Sequence, residues 1–283
     1  MNRHTLYIAI AAGALAACDS VAPEDRLVDI KPTDSPVDTT EADSLGPVAR
    51  SVLLVDFTGQ RCVNCPRGSA IIQQMEQAYG ERLIAVGMYS GGFGNSPSGK
   101  PYPLTTSEGN EYFSHWQLNE QPIGVVDYQQ PTPYTDWNYA VRQRMQADAP
   151  LKLDISSATI DAEGQGSVTV SAIGTVGTTA GRLQLWLLED SITGVQVRHD
   201  PIDNDLVTIN DTQYLHRHVF RRSLNGTWGQ DLTVAQGDTA TVSTTFAADA
   251  TWDKGHLSVV AFVYNEAQGG VQQACRSNVT RGN

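Results

Sequence analysis

The sequence lacks most of the features that announce an enzyme class. It has only four cysteines and six histidines, and aromatic residues make up 7%. No Gly-rich loop of the phosphate-cradling kind leads into a helix, and no Ser-His-Asp signature stands out. A zinc site built on CxxC needs a second ligand pair, and neither a second CxxC nor an HxxxH is present. Basic residues are scarce, with 19 Lys and Arg against 31 Asp and Glu and a formal net charge of −12 at pH 7. Such a chain is a poor partner for nucleic acid. No apolar run is long enough to cross a bilayer as a helix. Nothing in the sequence calls for a cofactor or a metal.

What is present begins at the N-terminus. Arg3 is followed by a short apolar run over 5–14 and then by small residues, the layout of a secretory signal peptide over 1–17. Leu15-Ala16-Ala17-Cys18 resembles a bacterial lipobox. That resemblance implies a lipid anchor on Cys18 carrying fatty acyl chains such as palmitate, each buried CH2 contributing about 0.8 kcal/mol of membrane affinity. The alternative is an ordinary signal peptide cut near Ala17. Removal of Arg3 leaves 18 basic residues against 31 acidic and a net charge of −13. Residues 18–48 then read as the anchor and an acidic tether, with eight acids opposed by Arg26 and Lys31 over 19–48. Too few apolar residues stand there to offset the entropy of ordering.

Two textures follow. Residues 49–149 alternate strand and helix patterns. Val52-Leu53-Leu54-Val55 opens a strand buried on both faces. A helix is expected over 66–79, with Ala70, Ile71, Met75 and Ala78 on one side and Gly80 as its stop. Strands are expected at 83–89 and 123–128, and helices at 111–118 and 135–148, the last capped at Thr135-Asp136. The stretch 90–110 reads as a long loop. From 150 to 283 helical patterns vanish. Short alternating runs at 151–160, 167–176, 182–189, 214–224, 239–246 and 257–265 suggest an antiparallel β-sandwich of the immunoglobulin-like kind. The expected fold class is thus α/β followed by all-β, with the boundary near 150.

The chemistry concentrates in Asp56-Phe57-Thr58-Gly59-Gln60-Arg61-Cys62-Val63-Asn64-Cys65-Pro66. The CxxC falls between a buried strand and a helix. That junction places Cys62 at the helix N-terminus, where backbone N–H groups and the positive end of the dipole favour a thiolate, and Arg61 adds a positive neighbour. An exported chain meets an oxidising compartment, so Cys62 and Cys65 are expected to pair as a disulfide. Cys275 reads as a small buried apolar residue.

This stretch resembles the thioredoxin superfamily, in which a buried acid stands six residues before the first cysteine. The resemblance implies that Cys62 is the attacking thiol, Cys65 the resolving thiol and Asp56 the acceptor of its proton. Asp56 as a strand-end acid with no proton role is the alternative. The superfamily also has a cis-proline facing the disulfide just before a strand. Pro122, directly before Ile123, takes that place, an ordinary trans-proline being the alternative. Arg61 instead of a tryptophan, and Val63-Asn64 between the cysteines, depart from the usual pattern.

Over its mature length the chain resembles the outer membrane protein 28 family of bacterial lipoproteins. The residues that carry this are the lipobox, Phe57 to Pro66, Leu187-Leu188-Glu189-Asp190-Ser191-Ile192 and Tyr214 to Arg221. The resemblance implies a thioredoxin-like part joined to a β-sandwich, lipid-anchored in the cell envelope at the outer membrane. Two functions fit: thiol–disulfide exchange on exported proteins, or a surface binding and adhesion module whose CxxC is a structural bridge.

Three further groups read as structural. His199, His216 and His218 could ligate a metal but are expected to be surface strand residues. The acidic run Asp200, Asp203, Asn204 and Asp205 lacks the terminal bidentate Glu of an EF-hand loop. Gly91-Gly92-Phe93-Gly94 reads as a flexible lid near the CxxC.

Overall fold

The structure, a computed structural model, describes residues 46–97, 104–200 and 207–282. The signal peptide, Cys18 and nearly all of the expected tether lie outside the described residues, as do Asp203, Asn204 and Asp205. No described helix is long and apolar enough to cross a membrane.

The chain opens with two apolar strands, β1 (Val52–Thr58) and β2 (Leu83–Tyr89), every residue of which is buried. They pair in parallel, with Asp56 opposite Gly87. Helix α1 (Cys65–Tyr79) joins them. Pro66 sits in its first turn, where a missing N–H costs nothing, and Gly80 ends it at φ +55°. Helix α2 (Ser107–His115) begins four residues before the expected start, because the Thr106 hydroxyl accepts the Gly109 N–H at 2.9 Å and caps it. Strand β3 (Ile123–Val126) runs antiparallel to β1 and pairs with β4 (Pro131–Pro133). It ends before residue 128 because Asp127 and Tyr128 take positive φ. Helix α3 (Trp137–Met145) buries Trp137 and Val141. Asp136 stands at its N-cap position without making the expected side-chain bond.

The remainder is strands apart from two single 3-10 turns (Lys254–His256 and Glu266–Gln268): β5 (Leu151–Ile160), β6 (Gln165–Gly174), β7 (Thr178–Glu189), β8 (Ile192–His199), β9 (Thr208–His216), β10 (Val219–Ser223), β11 (Gln230–Ala235), β12 (Thr239–Ala247), β13 (Leu257–Asn265) and β14 (Gly270–Asn278). Composition did not reveal β8, β11 and β14. The single run expected at 214–224 is two strands in different sheets. The break falls at Arg217-His218, where His218 adopts φ +52°.

The fold is mixed α/β and predominantly β. The change of texture near 150 does not interrupt the main sheet, whose order is β14-β13-β7-β10-β2-β1-β3-β4 with β11 also on β7. The link is β10, which pairs antiparallel with β7 and parallel with β2. Thus the C-terminal half supplies the strand beside β2. At the far end of the order, Ser51 N–H donates to Gln273 Oε1 at 2.9 Å and Val271 N–H to the Asp127 carbonyl at 2.9 Å. Strand β14 therefore returns against the starts and ends of the N-terminal strands. A second sheet, β12-β6-β5 with Thr280–Arg281 at its edge, packs on β7 and β13.

Strand period two divides the main sheet into faces. One face carries a single core through both halves, from Leu53, Val55 and Phe57 to Trp186, Phe220 and Phe262. The other is split. Val52 and Leu54 lie against Ile72 and Met75 of α1 and Trp137 of α3, while Leu185 and Val259 meet Val168 and Val170 of the second sheet.

Candidate functional site

Cys62 and Cys65 form a disulfide with a Cα–Cα distance of 5.3 Å. Helix α1 begins at Cys65, so Cys62 lies in the turn before it and not at the helix N-terminus as expected. The Cys65 N–H donates to the Cys62 carbonyl at 3.2 Å, closing that turn. Arg61 is exposed, and its N–H donates to the Phe93 carbonyl at 2.9 Å. Residues Gly91–Gly94, expected as a flexible loop, form one short helical turn packed on the cysteine loop. Gly59 permits this contact, since a Cβ there would lie 2.2 Å from Phe93 O.

Pro122 is buried, and the Gln121–Pro122 peptide bond is cis. Gln121 Nε2 donates to the carbonyls of Thr58 at 2.8 Å and Ser90 at 2.9 Å, holding this turn at the ends of β1 and β2.

Asp56 lies on the β1 face turned towards α1 and is 2% exposed. Among the described residues its Oδ1 has no hydrogen-bond partner. Burial pushes its pKa up to about 8. Beside it is a small cavity of about 30 Å³, lined among others by Thr58, Ser69, Glu76, Tyr214, Arg217 and His218. Ser69 also donates to the Cys65 carbonyl at 3.4 Å, so the cavity reaches the first turn of the helix that carries the disulfide.

The hairpin of β8 and β9 forms its own two-stranded sheet and lies over the cysteine loop. Val197 N–H donates to the Gln60 carbonyl at 2.7 Å, and Gln60 Nε2 returns a bond to Val195 O at 3.0 Å. Gln196 Nε2 donates to the carbonyls of Gly59 at 3.1 Å and Cys62 at 2.9 Å. Under this cover Cys62 is 4% and Cys65 1% exposed.

His216 and His218 are not the surface residues expected, while His199 on β8 is half-buried. His216 is fully buried, its Nδ1 meets the Tyr89 hydroxyl at 2.7 Å, and burial drives its pKa down to about 4. His218 Nε2 lies 2.7 Å from Glu76 Oε1 and its Nδ1 2.9 Å from Asp190 Oδ2. Burial opposes its charge, but the two carboxylates outweigh that, and the net pKa is raised. Among the described residues no group of three or more His, Cys, Asp and Glu is arranged to hold a metal ion. Cys275 is free, half-buried and packed on the second core, where burial raises its thiol to about 12.

Sequence reading missed Gln60, Gln196, Glu76 and Asp190. The local signals were the stretches Phe57 to Pro66 and Leu187 to Ile192, which contain Gln60 and Asp190, and the density of aromatic and histidine residues in Tyr214 to His218.

The residues that build this site from the C-terminal side fall within a known family. The profile of the family described as outer membrane protein Omp28 matches residues 109–281. The chain belongs to the Omp28 family. Membership places it in the cell envelope, at the outer membrane. The Omp28 match spans Pro122, the hairpin and His218, and begins after the cysteine pair. No curated protein matches the sequence. Among solved structures, HBP35 of Porphyromonas gingivalis is similar at 18% identity and a TM-score of 0.61, covering 83% of this chain and 76% of its own. A domain of the outer membrane lipoprotein Omp28 from the same organism shows 18% identity over 48% of this chain and 100% of its own, with a TM-score of 0.34.

Proposed function

We propose that this Omp28-family chain is held at the outer membrane by a lipid on Cys18, and that its thioredoxin-like N-terminal half exchanges disulfides with exported polypeptides. A substrate thiolate attacks Cys62 Sγ, the Cys62–Cys65 bond breaks, and Cys65 leaves as a thiolate that needs a proton. In the reverse direction Cys65 must give that proton up before it attacks. The observation that carries this reading is Asp56. A buried carboxyl with an unpartnered oxygen destabilises the fold, and such groups gather at functional sites. With its pKa near 8 the acid is protonated at neutral pH, yet close enough to titration to move a proton both ways. The order β10-β2-β1-β3-β4, the cis bond at Pro122 and the CxxC ahead of α1 support the thioredoxin-like reading.

The second reading is a surface binding module in which the disulfide is a structural bridge. The burial of both sulfurs beneath the β8–β9 hairpin favours it. The reduction potential of the Cys62–Cys65 pair in the full chain, equilibrated with glutathione or dithiothreitol buffers, separates the two. A value between about −120 and −270 mV is expected for exchange, and a value below about −300 mV would overturn it in favour of the bridge.

A further inference from the structure

A buried acid that trades protons with Cys65 must itself exchange them with water. Asp56 is enclosed by β1, β2 and α1, and its polar outlet is the 30 Å³ cavity, which has room for one or two water molecules. Across that cavity stand Glu76 and His218. Glu76 lies on α1 with its side chain 27% exposed, so it touches both the cavity and solvent.

Its geometry is fixed from the C-terminal half. His218 Nε2 sits 2.7 Å from Glu76 Oε1, and Asp190 Oδ2 holds the other ring nitrogen at 2.9 Å. The backbone is pinned as well. Gly87, directly opposite Asp56 in the ladder, donates its N–H to the His218 carbonyl at 2.8 Å. Gly87 has no Cβ to push this turn away, and one built there would lie 3.1 Å from the Arg217 carbonyl oxygen.

We infer that Glu76, positioned by His218 and Asp190, is the port through which Asp56 exchanges its proton with solvent by way of water in this cavity. The inference rests on the exchange reading. When Cys65 leaves as a thiolate, Asp56 donates its proton and becomes a carboxylate. A proton from solvent then passes by Glu76 and a cavity water to restore it. In reverse, the proton taken from Cys65 leaves by the same path. Glu76 carries the proton, and His218 and Asp190 are positioning residues.

The charged and titratable groups around the port suit this task. His218, Arg276 and Arg217 outweigh the desolvation of Glu76 and keep it ionised, so a proton that reaches it from water or from the cavity is held only briefly and passed on. Arg276 Nη1 lies 2.9 Å from His218 Nδ1. Tyr89 and Tyr214 also line the cavity, and burial raises both phenols, so neither ionises in the working range. His216 on β9 is held neutral and engaged by Tyr89, which removes it as an alternative carrier.

The test is the rate at which dithiothreitol reduces the full oxidised chain, followed by stopped flow from about pH 6 to 9 in H2O and D2O. Asp56→Asn is expected to slow the reaction about a hundredfold, within the range of general acid catalysis. At pH 9, where Asp56 starts ionised and must take its proton through the port before Cys65 leaves, Glu76→Gln is expected to slow the reaction about tenfold and to raise the solvent isotope effect, with Glu76→Asp restoring most of the rate. His218→Asn, read in the same way if Glu76→Gln does not fold, is expected to slow it several-fold with the same rise in isotope effect. A slow Asp56→Asn at neutral pH beside Glu76→Gln and His218→Asn variants with wild-type rate and isotope effect at pH 9 would overturn the port. An Asp56→Asn variant at the wild-type rate would overturn the exchange reading beneath it.

Discussion

The two faces of the main sheet are built differently. On one face, Leu53, Phe57, Trp186, Phe220 and Phe262 form one core from β1 through β7 and β10 to β13. On the other, the cover changes part-way along, from helices α1 and α3 to the second sheet. The sequence boundary near 150 marks that change of cover and nothing more. Helical spacing before it and alternation after it describe what packs on the split face, while the shared face is continuous. Two textures in a sequence therefore need not mean two folding units.

Cutting the chain is the severest way to break the comparison. Fragments 46–149 and 150–283 each keep a private core but lose half of the shared one, and the first also loses β10. Neither is expected to fold. Circular dichroism and amide exchange protection of each fragment alone check this, and a protected, cooperatively melting 150–283 fragment would show that the split face is enough.

A smaller effect lies on the helix-covered side of the split face. The Asp56 pKa near 8 exceeds the unfolded value of about 3.9, so the folded state keeps its proton while the unfolded chain loses it. Stability contributed by this group is intact below about pH 4, falls as pH rises, and levels off above about pH 8. Asp56→Asn is therefore expected to stabilise the protein by roughly 4 kcal/mol at neutral pH and to have little effect near pH 4. Denaturant melts at the two pH values measure this, and an equal effect at both would contradict the buried-acid account.

The smallest effect concerns the hairpin, which belongs to neither core. Gln196→Ala removes the bonds to the Gly59 and Cys62 carbonyls, worth about 1–2 kcal/mol of closure. Reduction of the disulfide by a water-soluble phosphine is expected to quicken by about tenfold, with the global melt shifted little. An unchanged rate would mean that the hairpin does not govern access to Cys62.

Much of the site was legible in the sequence because it is local. The order of strand, CxxC and helix places Cys62, Cys65 and Asp56 within one β–turn–α unit, and period two along β1 sends Asp56 to the α1 side with Val52 and Leu54. Pro122 was legible because it directly precedes a strand. The expected chain stop at Gly80 follows from its freedom to take φ +55°. Other readings failed for equally physical reasons. The strand–helix junction gave Cys62 the helix N-terminus, whereas a turn closed by the Cys65 N–H stands between Cys62 and the helix, which starts at Cys65. The Tyr214 to Arg221 run reads as one strand because the modest tendency of His to take positive φ does not by itself fix His218 there. Its neighbours in space impose that: Gly87 on its carbonyl, and Glu76 and Asp190 on its ring.

The sequence by itself determined the main strands and helices before residue 150, the β-rich texture after it, the acidic charge, the cysteine pair at a strand–helix junction and the acid six residues before it. These depend on neighbours in the chain, where period and spacing are decisive. Only the tertiary structure decided that β10 completes the sheet beside β2, that a hairpin from the C-terminal half covers the disulfide, and that His218 meets Glu76 at the Asp56 cavity. Each joins residues more than a hundred positions apart, and such pairings are set by how a shared apolar face closes, which no local pattern records.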